Sequence, residues 1–190
     1  MTRGFKDKGT IKKYMPHILI WCALIIYIIF ANSIYCKFVL KNGKPVFDNL
    51  LKSTEILDSI YYIDGLDQVR YDGQDLYLLK GWGFRVSPSE LSLQDFSKQI
   101  ILQKDEEIKL FAAQDIPRPG LNIAVKGKDP EMDITYAGFQ SYISKEVLPL
   151  GIYRIGIRYI SDNGVLDYYF WTSKGIEITP NKMILVDIGK

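Results

Sequence analysis

Histidine is almost missing from this 190-residue chain: His17 is the only one. The two cysteines, Cys22 and Cys36, fall in the first 36 residues, so residues 37–190 hold neither His nor Cys. Ser-His-Asp and Cys-His catalysis are thereby excluded from the long C-terminal part, as is zinc ligation by His or Cys. Without disulfides, that part has to hold itself together by core packing. A dominant charge is absent too: 24 Lys plus Arg against 22 Asp plus Glu leave +2. The balance argues against a nucleic-acid partner, which calls for a strong basic excess on one face. There is no Walker loop, dinucleotide fingerprint or D-x-D-x-D-G calcium loop, and Gly81-Trp82-Gly83 lacks the length and following helix of a phosphate cradle. No catalytic residue, cofactor or metal is expected.

One long stretch lacks charge altogether. Between Lys13 and Lys37 lie 23 residues without Lys, Arg, Asp or Glu, and Ile18–Phe30 is almost wholly apolar. A helix of that length spans about 34 Å, against a hydrocarbon core of roughly 30 Å. Trp21, Tyr27 and Phe30 add apolar area, Tyr14 and Tyr35 fall near the two interfaces, and His17 stands at the edge beside Pro16. The reading is one transmembrane helix over 15–36, a signal anchor behind a cytoplasmic tail, 1–14. Arg3, Lys6, Lys8, Lys12 and Lys13 precede it and Lys37, Lys41 and Lys44 follow. With a long domain downstream, that bias places the protein in the cell membrane, N-terminus cytoplasmic and C-terminal domain extracytoplasmic. The rival is a cleaved signal peptide, because Ala31-Asn32-Ser33 has the small-x-small form; against it, apolar residues resume at Ile34-Tyr35. The 18 Lys, 6 Arg and 26 Ile lean towards an AT-rich bacterial genome.

Residues 37–60 read as a tether. Lys37 to Asn49 is polar and turn-rich, and Leu50, Leu51, Ile56, Leu57 and Ile60 have a partly helical spacing that predicts a short helix. From 61 to 190 the signals are those of a β domain. Tyr61-Tyr62-Ile63 leads into an Asp/Gly turn, alternation follows over Gln74–Val86 and Leu121–Lys126, and Ile134–Ser144 is a further aromatic run. Lys98–Gln103 and Glu107–Ala113 flank a polar turn. Ile152–Ile160 and Val165–Thr172 flank Asp162-Asn163-Gly164, and Ile176-Glu177-Ile178 and Met183–Val186 supply edge strands. The fold class predicted is all-β, an immunoglobulin-like two-sheet sandwich preceded by a single transmembrane helix.

Several short motifs follow in order: Ile63-Asp64, then Leu76-Tyr77-Leu78 with Gly81-Trp82-Gly83-Phe84, then Arg118-Pro119 and Ala137-Gly138-Phe139. Leu148-Pro149-Leu150-Gly151 with Tyr153, Ile155 and Ile157 completes the series. Over about residues 60–180 this succession resembles the extracytoplasmic β-sandwich modules that accompany bacterial cell-surface glycosyltransferases and glycan-assembly proteins. Those modules usually carry an Asp soon after the Arg-Pro pair, where Gly120-Leu121 stand here. The resemblance implies a cell-envelope setting and a part in surface-glycan assembly, and no particular reaction.

Asp64, Asp67, Asp72 and Asp75 have a spacing open to a glycosidase-type carboxylate pair, although Gly65 and Gly73 make turns the simpler account. Trp82, between two glycines, is either a core aromatic or a sugar platform with Tyr61 and Tyr62 beside it; its parity with Leu78, Phe84 and Val86 favours the core. Tyr168, Tyr169 and Trp171 straddle the two faces of the last hairpin, with Arg154 and Arg158 on its non-core face. Trp82, Arg154, Arg158, Tyr168, Tyr169 and Trp171 are thus the candidate binding surface, the plainer alternative being a solvated face. The expected function is a non-catalytic accessory protein, anchored in the lipid bilayer, that binds or scaffolds an envelope membrane protein, a glycosyltransferase or a glycan. A carbohydrate-binding module and a carboxylate-dependent envelope enzyme are the alternatives.

Overall fold

The computed structural model describes residues 8–46, 53–86, 93–125 and 133–189. The apolar run forms α1 (Lys8–Asn42). Its segment His17–Asn42, 26 residues long, is apolar and extended enough to cross a membrane. The helix continues six residues past Cys36, through part of the expected tether. Lys37 and Lys41 favour helix, and the run closes where the Gly43 N–H donates to the Val39 carbonyl at 3.0 Å.

The chain divides into two compact units, Met1–Phe38 and Val39–Lys190. The second is mostly strand: β1 (Thr54–Glu55), β2 (Ser59–Tyr71), β3 (Gln74–Arg85), β4 (Phe96–Lys104), β5 (Glu107–Ile116), β6 (Gly138–Ser144), β7 (Gly151–Ser161), β8 (Asp167–Ile178) and β9 (Met183–Asp187). One short helix, α2 (Leu121–Ala124), interrupts them. The strands lie in the order β1-β8-β7-β4-β5-β6-β3-β2, with β9 also on β8. All pairs are antiparallel except β1 with β8.

Two sheets were expected, and one curled sheet, a half-barrel, is found. The reason lies in β5: Glu107–Ala113 pair with β4, whereas Gln114–Ile116 pair with β6. Ten residues suffice for one strand to serve both halves, and Pro117, lacking an N–H, ends it.

The concave side holds the main core, with Phe96, Ile100 and Leu102 of β4 meeting Tyr153, Ile155, Ile157 and Tyr159 of β7 and Phe170 of β8. Strand β3 is buried on both faces. Tyr77 and Leu79 enter the main core, while Leu76 and Leu78 join Val39 and Tyr142 in a second cluster. Burying each of those leucines contributes about 1.5–3 kcal/mol. Gly43 to Val46, also expected as tether, run along the sheet, the Ser144 N–H donating to the Gly43 carbonyl and the Val46 N–H to the Leu110 carbonyl.

Four local expectations need correction. The helix foreseen over Asn49–Ile60 is not formed at 53–60; residues 49–52 lie outside the described segments. Thr54-Glu55 instead adds to β8, and the Ile56 N–H donates to the Tyr169 carbonyl at 2.9 Å, because an isolated helix that short is marginal while a sheet edge offers partners at once. Gly65 does not turn the chain: a bulge lies between Ile63 and Gly65, and the hairpin turn is Asp72-Gly73, with φ of 48° and 76°. Leu121–Val125 make a helical turn, not a strand; Leu121 and Val125, four apart, face the core, and Ile123 is 77 % exposed. Ile176-Glu177-Ile178 continue β8 and form no separate strand.

Candidate functional site

Alternation divides the last hairpin into two faces. On β7 the inward residues Tyr153, Ile155, Ile157 and Tyr159 are fully buried, as their spacing predicted. Arg154, Gly156 and Arg158 therefore share the outer face with Tyr169 and Trp171 of β8. Gly156 pairs with Trp171 in register, and a Cβ on Gly156 would come within 2.9 Å of the indole ring. Glycine is what allows that ring to lie down on the strand.

The Arg154 Cζ stands 4.7 Å from the centre of the Trp171 ring, a cation–π contact worth about 0.5–1 kcal/mol at an exposed position. Tyr169 meets Trp171 edge-on, with centroids 5.6 Å apart and planes at 80°. Its hydroxyl donates to Glu55 Oε2 at 3.2 Å, and desolvation, aided by the Glu55 charge, holds the phenol above its usual range. Arg154 and Trp171 line a cleft of about 230 Å³, whose far wall is Glu55 at the end of β1 with Ile56 and Leu57 of the β1–β2 connection, and Tyr61 beside them. Leu57 is 92 % exposed, the most open large apolar side chain among the described residues.

Three of the six candidate residues, Arg158, Tyr168 and Trp82, belong elsewhere. Arg158 is 3 % exposed. Its Nε and Nη2 donate to Asp167 Oδ1 and Oδ2 at 2.9 and 2.6 Å, and its Nη1 to Gln99 Oε1 at 2.9 Å. Because β7 runs between β4 and β8, side chains from both neighbours cover its outer face at this level. The Arg158 hydrogen bonds hold the Asp167 carboxyl below its usual pKa. Tyr168 is 6 % exposed and faces the core, stacked on Tyr159 with centroids 5.4 Å apart. Burial pushes its phenol far up.

Trp82 is half-buried, neither a core residue nor a free platform. It stacks between Phe84, at 6.2 Å and 21°, and Tyr62, at 6.4 Å and 27°, and Tyr62 is 58 % exposed. The flanking glycines serve the opposite side of β3: Gly83 leaves room for Phe170 and Ile157, and Gly81 for the Phe139 ring. Tyr61, expected beside Trp82, instead stacks on Phe170 at 6.1 Å.

The aspartates are held separately. Asp64 accepts from Arg118, whose stem passes where Gly138 has no side chain. Asp67 pairs with Lys80 at 2.9 Å and Asp75 with Arg70 at 4.0 Å, while Asp72 occupies the β2–β3 turn. Among the described residues no group of three His, Cys, Asp or Glu is placed to hold a metal ion.

Sequence reasoning missed Glu55, Leu57 and Gly156. Only Gly156 carried a signal, as a glycine inside a strand of β-branched residues. It also missed Lys98, buried on the concave face, paired with Asp115 and 5.4 Å from the centre of the Tyr159 ring. Burial lowers that amine's pKa, against the opposing pull of Asp115.

No family model, curated protein or solved structure matches the chain. The cleft and the apolar helix are the features that bear on function.

Proposed function

We propose that the chain is a non-catalytic, single-pass membrane protein whose extracytoplasmic β domain binds or scaffolds a protein partner of the cell envelope, an envelope membrane protein or glycosyltransferase, in surface-glycan assembly. The cleft beside Arg154 and Trp171 carries this reading. It joins an exposed guanidinium, a half-buried indole and the open Leu57 side chain on one face. Aromatic and Arg anchors with apolar neighbours are the usual composition of a contact surface. The apolar helix supports the anchor, and the five basic residues ahead of it against three behind support a cytoplasmic N-terminus. Within this reading the domain is a variant immunoglobulin-like sandwich whose two sheets are joined through β5.

The test is recovery of the full-length protein from its native membrane in mild detergent, beside a Leu57→Asp/Arg154→Glu variant. One envelope partner should accompany the wild type and fall at least tenfold with the variant. Equal recovery with both, or no partner at all, overturns the reading.

A second reading, a carbohydrate-binding module, draws on the stacked Tyr62–Trp82 pair. It requires glycan binding that is lost in Tyr62→Ala and Trp82→Ala while the domain stays folded.

A further inference from the structure

The outer edge of β8 has two partners with a gap between them. β1 covers Tyr168 and Tyr169, and β9 covers Lys174 to Ile178. Residues 170–172 have no ladder partner on that side among the described residues, and Ser173 is met there by Ile188.

The two-residue period of a strand shows which main-chain groups face the gap. The Tyr169 carbonyl accepts from the Ile56 N–H at 2.9 Å. Two residues beyond Trp171, the Ser173 N–H donates to the Tyr61 hydroxyl at 2.8 Å and the Ser173 carbonyl accepts from the Ile188 N–H at 3.0 Å. Tyr169 and Ser173 thus direct their polar groups away from β7. Trp171 lies two residues beyond Tyr169 and still pairs with Gly156, ahead of the register shift that follows, so the period counted from Tyr169 places its N–H and C=O on the same side. That side is the cleft.

We propose that the cleft takes an extended, acidic peptide segment, which adds to the sheet edge at Trp171. This rests on the binding role proposed above and names the chemistry of its partner. An extended chain satisfies the Trp171 N–H and C=O together, as strand addition to an open edge does. Arg154, exposed and held over the Trp171 ring, supplies the cation for a carboxylate; the nearby Glu55 carboxylate already accepts from Tyr169. Ile56 and Leu57 offer apolar contact to the flanking side chain. At about 230 Å³ the cleft is smaller than the roughly 300–1,000 Å³ of a small-molecule site, which suits one or two side chains of a strand. The Trp171 ring is already met by Gly156 and Arg154, which disfavours a sugar stacked on it.

The experiment selects a displayed random heptapeptide library against the full chain in nanodiscs. Enriched peptides should carry Asp or Glu among β-branched residues. Made synthetically, they should bind at least tenfold more weakly to Arg154→Gln, which should stay folded with only the small stability loss of the cation–π contact, and lose binding when alternate peptide amides are N-methylated. No enrichment, enrichment of basic peptides, or binding indifferent to N-methylation overturns the proposal. If the membrane partner is still recovered but the peptides do not displace it, strand addition fails while envelope binding stands. If neither partner nor peptide binds, both fail.

Discussion

The Arg118 guanidinium donates to the Asp64 carboxylate across 54 residues of sequence, joining the segment after β5 to the bulge in β2. Gly138 makes the approach possible, since a Cβ there would lie 2.7 Å from Arg118 Cγ and 2.3 Å from the Ile116 carbonyl oxygen. Four short motifs thus meet at one corner: Asp64, Arg118 and Gly138, with Phe139 against Gly81.

Gly138→Ala should therefore cost about 1–3 kcal/mol, because a backbone oxygen cannot step aside. Arg118→Gln should cost about 1 kcal/mol or less, since the pair is partly solvated. Denaturant unfolding of both variants checks the order, and a reversed order would make the ion pair, not the glycine, the fastening of this corner.

Arg158 should behave in the opposite way to an exposed patch residue. Arg158→Ala removes the bidentate partner of the half-buried Asp167 carboxylate and should destabilise by about 1.5–3 kcal/mol. The Asp167 pKa is lower folded than unfolded, so its contribution is present above the ordinary value of about 3.9 and is lost as pH falls through the depressed value. Unfolding measured from pH 6 down to 3 should show that acid loss in the wild type and less of it in Asp167→Asn. An unchanged slope would place the acid sensitivity elsewhere.

Lys98 and Asp115 span the place where β5 changes partners. Asp115→Ala leaves a buried cation alone and should cost about 3 kcal/mol, most of which Lys98→Met in the same chain should restore. The Lys98 pKa is lower folded than unfolded, so the unfolded chain binds more protons between the two values and stability rises with pH there. Tyr159 and Tyr168, raised by burial, act the other way, so the readout is the difference between wild type and Lys98→Met from pH 8 to 10.5. No difference would mean that the amine is charged without penalty.

Gly156→Ala tests the cleft itself. The new methyl meets the Trp171 ring, which can give way, so the stability cost should be about 1 kcal/mol. The indole should then move, read as a change in near-UV circular dichroism, and partner recovery should drop at least tenfold. Unchanged recovery with a displaced indole would remove Trp171 from the contact.

Parity along β7 was enough to place Arg154 opposite the inward set Tyr153, Ile155, Ile157 and Tyr159, while the face of Trp171 waited on the register of β8. It was not enough for Arg158, whose exposure depends on which strands flank β7 and what they carry. Tyr168 and Tyr169 are adjacent and chemically alike, so only the register of β8 on β7 decides which one is buried. Leu121 and Val125 satisfy a strand pattern and a helical turn equally well, and five residues are too few to separate periods of 2 and 3.6.

The sequence by itself determined what depends on neighbours in the chain: an apolar helix able to span a bilayer, strands marked by alternation, and Asp-Gly at the β2–β3 turn. Tertiary structure decided that β5 joins both halves into one curled sheet, that Arg158 is buried, and that the β1–β2 connection closes a cleft over Trp171. Those outcomes rest on contacts between residues as distant as Glu55 and Tyr169, and no local pattern encodes which edges of a sheet will meet.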